Sequence, residues 1–131
     1  IVPSTSGVTV SVTRAVKDLI GKFDGVAMRV PSITGSLVDF TFVAERPTSV
    51  EEINNIFRKA VDDPRWQGIL GVTEDQIVSS DIIGANYAAL IDLSFTKVVD
   101  GDLVKIFSWY DNEWGYVSTL MKHVEKVLTM L

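Results

Sequence analysis

Apolar residues recur every three or four positions at both ends of the chain and every second position in much of the middle, and this change of period outlines the elements. In residues 7–23, Val8, Val12, Ala15, Val16, Leu19, Ile20 and Phe23 trace one helical face. The stretch "VTVSVT" within it alternates and is β-branched, which fits a strand and opposes a helix by roughly a few tenths of a kcal/mol per residue. The later spacing and the Ser6-Gly7 start favour the helix, which Lys22 and Asp24-Gly25 are expected to end. Ahead of it, "IVPSTSG" reads as the end of a strand and a turn. "VAMRVP" and "SLVDFTFVAE" alternate as strands separated by "SITG", with Pro31 closing the first.

After Pro47, Thr48 and Ser49 with Glu51 and Glu52 form two overlapping capping boxes. They predict a helix to about Val61, with Val50, Ile53, Ile56, Phe57, Ala60 and Val61 facing inward and Asp62-Asp63-Pro64 stopping it. Short apolar stretches follow: "GILGV", "QIVSS", "YAALIDL", "FTKVV" and "LVKIFSWY". Asp100-Gly101 joins the last two as a hairpin. From Glu113 onward, Trp114, Val117, Leu120, Met121, Val124, Val127, Leu128 and Leu131 predict a long carboxy-terminal amphipathic helix. The order of elements argues for a single α+β domain over residues 1–131, with a mostly antiparallel sheet and helices covering one face.

Composition narrows the chemistry. The chain has no cysteine and one histidine, so a thiolate nucleophile or thiolate metal site cannot come from it, and no metal site is expected. A net charge of −5 argues against nucleic acid as a partner. Apolar runs such as Asn86–Leu93 are too short for a membrane span, and no basic leader precedes an apolar core, so a cytoplasmic protein is the expectation. The start at Ile1, in what reads as the end of a strand rather than a polar tail, predicts a piece of a longer protein.

The stretch "SWYDNEWGY", residues 108–116, packs Asp111, Asn112, Glu113 and Gly115 among four aromatic rings where a strand meets a helix. Either Asp111 or Asn112 can cap the exposed amides, Glu113 complements the helix dipole, and Trp114 reads as a core contact. Capping leaves a second polar side chain and Tyr116 unexplained.

"WYDNEWGY" after "VVDGDLVKI", with "IVPSTSG", "GVAMRVPSITGSLVDFTF" and "ILGVTEDQIVSSDIIG" in the same order, resembles the carboxy-terminal catalytic domain of glyceraldehyde-3-phosphate dehydrogenase over nearly the whole chain. The resemblance implies an enzyme of glycolysis that oxidises a phosphorylated aldehyde with NAD. It makes an acyl phosphate from inorganic phosphate through a thioester on a Cys, with a His as base, and works as a homo-tetramer whose catalytic-domain sheets pack across subunits.

By the same resemblance, Asn112 matches the residue that hydrogen-bonds the nicotinamide carboxamide, and Tyr116 the ring beside it. Ser6 and Gly7 match the site for attacking phosphate, and Arg29 matches the arginine that grips substrate or inorganic phosphate. These residue types suit anions: a hydroxyl and amides at a helix start, and a planar fork of donors. Read from the residues alone, Ser6-Gly7 is more often a cap, Arg29 a solvated or ion-paired residue, and His123 a surface or packing residue.

The chain also departs from the family. "GVTVSV" stands where small residues and a Lys usually open the first helix, and the nucleophilic Cys, the catalytic His and a G-x-G-x-x-G dinucleotide-binding half are missing. The chain alone is therefore expected to be inactive without that amino-terminal half. Since the half also chooses between NAD and NADP, NADP is not excluded. Two other readings stay open: a dehydrogenase for a larger aldose phosphate, such as erythrose-4-phosphate dehydrogenase, and a non-catalytic interaction module of the same fold.

Overall fold

The computed structural model describes residues 1–131. Their contacts form two compact units, Ile1–Ile33 and Thr34–Leu131. In the first, β1 (Val2–Thr5) and β2 (Val26–Arg29) pair antiparallel, with Val2 opposite Arg29 and Thr5 opposite Val26. Between them run α1 (Val8–Ala15) and a 3-10 turn at Lys17–Leu19.

The helix expected over 7–23 thus stops at Ala15. "VTVSVT" does enter it, but its hydroxyls turn back on the helix: Ser11 Oγ donates to the Gly7 carbonyl at 3.2 Å and Thr13 Oγ1 to that of Thr9 at 3.0 Å. Back-bonding and branching at Cβ both weaken a helix. Val16 then leaves it with an extended backbone. No side chain of residues 1–33 is fully buried.

The second unit holds β3 (Ser36–Val43), α2 (Val50–Val61), β4 (Leu70–Thr73), β5 (Ala89–Val99), β6 (Leu103–Tyr110) and α3 (Trp114–Leu128). Its sheet has the order β3-β6-β5-β4 and is antiparallel except where β4 runs parallel to β5. The α+β class and mostly antiparallel sheet agree with the sequence. Asp100 and Gly101 both have positive φ, 52° and 82°, and Asp102 N–H donates to the Val99 carbonyl at 3.3 Å. That is the type I′ turn whose twist suits a hairpin.

"FTKVV" and all of "YAALIDL" from Ala89 onward belong to one strand, β5, whose register with β6 shifts between Asp92 and Lys97. "QIVSS" forms no strand. The Asp81 carboxylate accepts from Val78 N–H at 2.7 Å, and Asp81 N–H donates to the Val78 carbonyl at 2.9 Å. This turn carries Ile82 into a buried position, 1% exposed.

One sheet face carries the core. Ile91, Leu93, Val104 and Ile106 are buried there, with Ile53 and Phe57 of α2 and Phe42, Leu70 and Val72 packed around them. Ser49 caps α2, accepting from Glu52 N–H at 3.2 Å, while the Glu52 carboxylate meets Thr48 Oγ1 at 2.9 Å and the Arg46 guanidinium. The buried residue of α2 is Asn54, whose Nδ2 donates to the Leu93 carbonyl at 3.1 Å beside the irregular part of β5. Val50 and Ile56, both expected inside, are exposed. The periodicity of α3 is as expected, but Val117, Leu120, Met121 and Val124 are exposed. Trp114 is 59% exposed and is no core contact. No helix is long and apolar enough to cross a membrane.

Candidate functional site

The junction of β6 and α3 divides two tasks between neighbouring residues. Asp111, buried, does the capping: Oδ1 accepts from Glu113 N–H at 2.8 Å and Trp114 N–H at 2.9 Å, and Oδ2 accepts from Gly84 N–H at 2.8 Å. The Gly84 amide, then those of Trp114 and Glu113, hold its carboxyl below the usual carboxylate range. A charge-assisted cap of this kind satisfies amides that the helix start leaves open.

Asn112 does something else. Its Oδ1 accepts from Gly35 N–H at 2.9 Å and faces Thr34 Oγ1 at 3.3 Å, in the turn just before β3. The oxygen of the amide is thereby committed to the protein, and its Nδ2 donors lie on the other arm of the planar group, on an exposed residue. Tyr116, in the first turn of α3, presents its ring to solvent at 64% exposure.

Gly115 sets how closely that turn can approach its support. A Cβ there would lie 2.4 Å from the Tyr87 carbonyl oxygen and 3.4 Å from that of Ala85. Only glycine lets the α3 backbone lie on that segment.

The remaining candidates belong to the first unit. Ser6 Oγ accepts from Val8 N–H at 3.3 Å just ahead of α1, whose flanking residue Gly7 has no side chain to cap with; the same hydroxyl keeps a hydrogen to donate. Gly7 has an ordinary φ of −71°, and a Cβ on it would meet nothing within 4 Å. Neither backbone nor neighbours demand glycine there. Arg29 is exposed, at the end of β2 and opposite Val2, so its Cα lies four positions along the ladder from the level of Ser6. The long side chain has to span that offset for the three to act on one ligand.

The sequence reading missed Thr34 and Gly35 as partners of Asn112, and Gly84 as a partner of Asp111. The signal was the turn-forming "SITG", but nothing local connects it with a residue 77 positions away.

The family described as "Glyceraldehyde 3-phosphate dehydrogenase, C-terminal domain" matches residues 1–112. The chain belongs to this family. Among glyceraldehyde-3-phosphate dehydrogenases it is similar to that of Streptomyces coelicolor, 46% identical over 121 residues, which is 92% of this chain and 36% of the relative. It is 42% identical to that of Borreliella burgdorferi over 129 residues, 98% of this chain and 38% of the relative. Against glyceraldehyde-3-phosphate dehydrogenase 3 of a Nostoc species it is 41% identical over all 131 residues, 39% of that protein. The chain thus spans less than two-fifths of the length of these relatives. Ser6, Gly7, Arg29 and Asn112 fall inside the matched glyceraldehyde-3-phosphate dehydrogenase domain, whereas Tyr116 and α3 lie past its end.

Proposed function

We propose that the chain is the carboxy-terminal part of a phosphorylating, NAD-dependent glyceraldehyde-3-phosphate dehydrogenase of cytoplasmic glycolysis. The observation that carries the reading is Asn112. Its neighbour Asp111 already caps α3, yet Asn112 is held by its oxygen at Gly35 and keeps an amide NH₂ on an exposed surface. A carboxamide on a flat ring, such as that of nicotinamide, offers a carbonyl oxygen as the matching acceptor. When bound, that cofactor supplies the hydride acceptor; Asn112 fixes the orientation of its ring, and the exposed Tyr116 walls it on one side.

In the same reading Ser6 and Gly7 bind inorganic phosphate. The Ser6 hydroxyl donates a hydrogen bond, and Gly7 leaves the open approach that a side chain would close. Arg29 offers its fork of donors to a phosphate of the aldehyde or to inorganic phosphate. These groups contribute by orientation and charge complementarity. The amino-terminal half of the intact protein brings the nucleophilic Cys, the His base and the dinucleotide-binding domain, so this chain alone is inactive.

Assembly into a homo-tetramer is supported by the sheet face turned away from α2. There Leu37 and Val43 of β3, Phe95 and Val99 of β5 and Leu103 of β6 are exposed, a surface that a second subunit would cover.

The test is made in the intact protein. Asn112→Ala is expected to slow hydride transfer without unfolding the enzyme. Arg29→Ala is expected to raise the KM for the phosphorylated aldehyde or for inorganic phosphate by roughly ten- to a hundredfold, the loss of about 1.5–3 kcal/mol for a hydrogen bond to a charged group. Unchanged kinetics in both variants would overturn the reading. NADH formation that does not depend on added phosphate would remove the phosphorylating chemistry.

A further inference from the structure

We propose that the Thr34–Gly35 turn is a positioning device for the Asn112 amide, holding its oxygen inward so that its NH₂ faces the ligand. This rests on the reading above, that Asn112 meets the cofactor head, and adds the residues through which that contact is set. An asparagine amide has two orientations of nearly equal shape and opposite hydrogen-bonding character. At an exposed position nothing intrinsic selects one.

Gly35 makes the selection. Its N–H, 2.9 Å from Asn112 Oδ1, can only donate, so a flipped amide would set two donors against each other. The Thr34 hydroxyl, 3.3 Å from the same oxygen and 3.4 Å from Asp111 Oδ1, adds a second donor on that side.

The turn is itself held in place. The pairing of β3 with β6 puts Ser36 opposite Tyr110, and continuing that register brings Gly35 and Thr34 level with Asp111 and Asn112. Gly35 has φ of 90°, and a Cβ there would come within 3.0 Å of Ile82 Cδ1 and 3.5 Å of the Ser79 carbonyl oxygen. Ile82 is buried, and Ala85 N–H donates to its carbonyl at 3.0 Å. Gly84, between them, donates to Asp111 at 2.8 Å. These contacts, together with the chain that joins Ile82 to Gly84 and Asp111 to Asn112, close a circuit from Asn112 to Gly35, to Ile82, to Gly84, to Asp111 and back. Such a closed arrangement is what keeps a ligand-facing group in one orientation.

A residue that acts only through another leaves a kinetic mark. In the intact enzyme, Thr34→Val removes the hydroxyl and keeps the shape. It is expected to lower the single-turnover rate of NADH formation about two- to tenfold, the worth of one neutral hydrogen bond, while the Kd for NAD changes little. Thr34→Ser should restore the rate. In the Asn112→Ala background, Thr34→Val should add nothing to the loss of rate, because the hydroxyl acts on the cofactor through that amide. Gly35→Ala, which pushes the turn off Ile82, should lower the same rate further and likewise add nothing to Asn112→Ala.

A Thr34→Val enzyme with an unchanged single-turnover rate, or a loss that adds to that of Asn112→Ala, overturns the positioning role. If Asn112→Ala itself leaves hydride transfer intact, it is the cofactor reading of Asn112 that fails.

Discussion

The entry into α1 and the entry into α3 are both strand-to-helix turns that carry candidate ligand groups, yet they are built to different standards. At α3, a buried carboxylate accepts from three backbone amides, a neighbouring amide is tied across to another strand's turn, and a glycine lies against a carbonyl. At α1, the helix start has no side-chain cap, only a 3.3 Å turn bond from Val8 N–H to Ser6 beside it, and no side chain around it is fully buried. The first is complete within this chain. The second has no comparable packing within residues 1–33 to hold its groups still. A two-stranded ribbon with one short helix is marginal alone in water, whereas the four-stranded sheet under α2 has its own core.

Hydrogen exchange on the 131-residue chain would break this contrast most directly. Amides of β5 and β6 next to Val104 and Ile106 are expected to exchange only through global opening, at least about a thousandfold more slowly than those of α1 and the β1–β2 ribbon. Equal protection in the two units would show that the α1 entry is as self-sufficient as that of α3.

Gly115→Ala would sharpen the α3 side. The added methyl meets the backbone oxygen of Tyr87, which cannot rotate away as a side chain would. The cost is expected to be about 3 kcal/mol, a fall of roughly 10–20 °C in the melting temperature of a unit this size. The equivalent change at Gly7, where a Cβ meets nothing, should leave stability nearly unchanged and act only on phosphate binding in the intact enzyme.

How much of this could be read from the sequence follows the range of the interactions. The Asp100-Gly101 hairpin and the Ser49 cap of α2 are local, and both formed as expected. The apolar periodicity of residues 7–23 outruns α1, whose Ser11 and Thr13 hydroxyls bond back onto the helix and weaken it. "QIVSS" looked like a further strand, but Asp81 bends it with its own carboxylate. At the site, spacing alone left the capping role open between residues 111 and 112, and only the family resemblance singled out Asn112. The division seen here depends on Gly84, carried by the 82–85 turn, and Gly35, set beside residue 111 by strand register, 27 and 77 residues away from their partners.

Asp111→Asn gives the smallest effect and the most specific one, since it is nearly isosteric and changes the charge at the junction. An asparagine can still accept from Glu113 and Trp114, but its NH₂ would then face the Gly84 N–H, so the link to the 82–85 turn is lost. The expected cost near neutral pH is about 1–2 kcal/mol, that of a cap and one unpaired amide. Its pH dependence has a fixed sign. The native carboxyl titrates below the ordinary value of 3.8, so its stabilisation is complete above that value and disappears as the pH falls through the native one. Chemical denaturation of the two proteins should therefore differ at pH 7 and converge in acid below about pH 4. A gap that persists unchanged into acid would mean that Asp111 holds the α3 entry by shape rather than by charge, and would remove the main difference between the two helix starts.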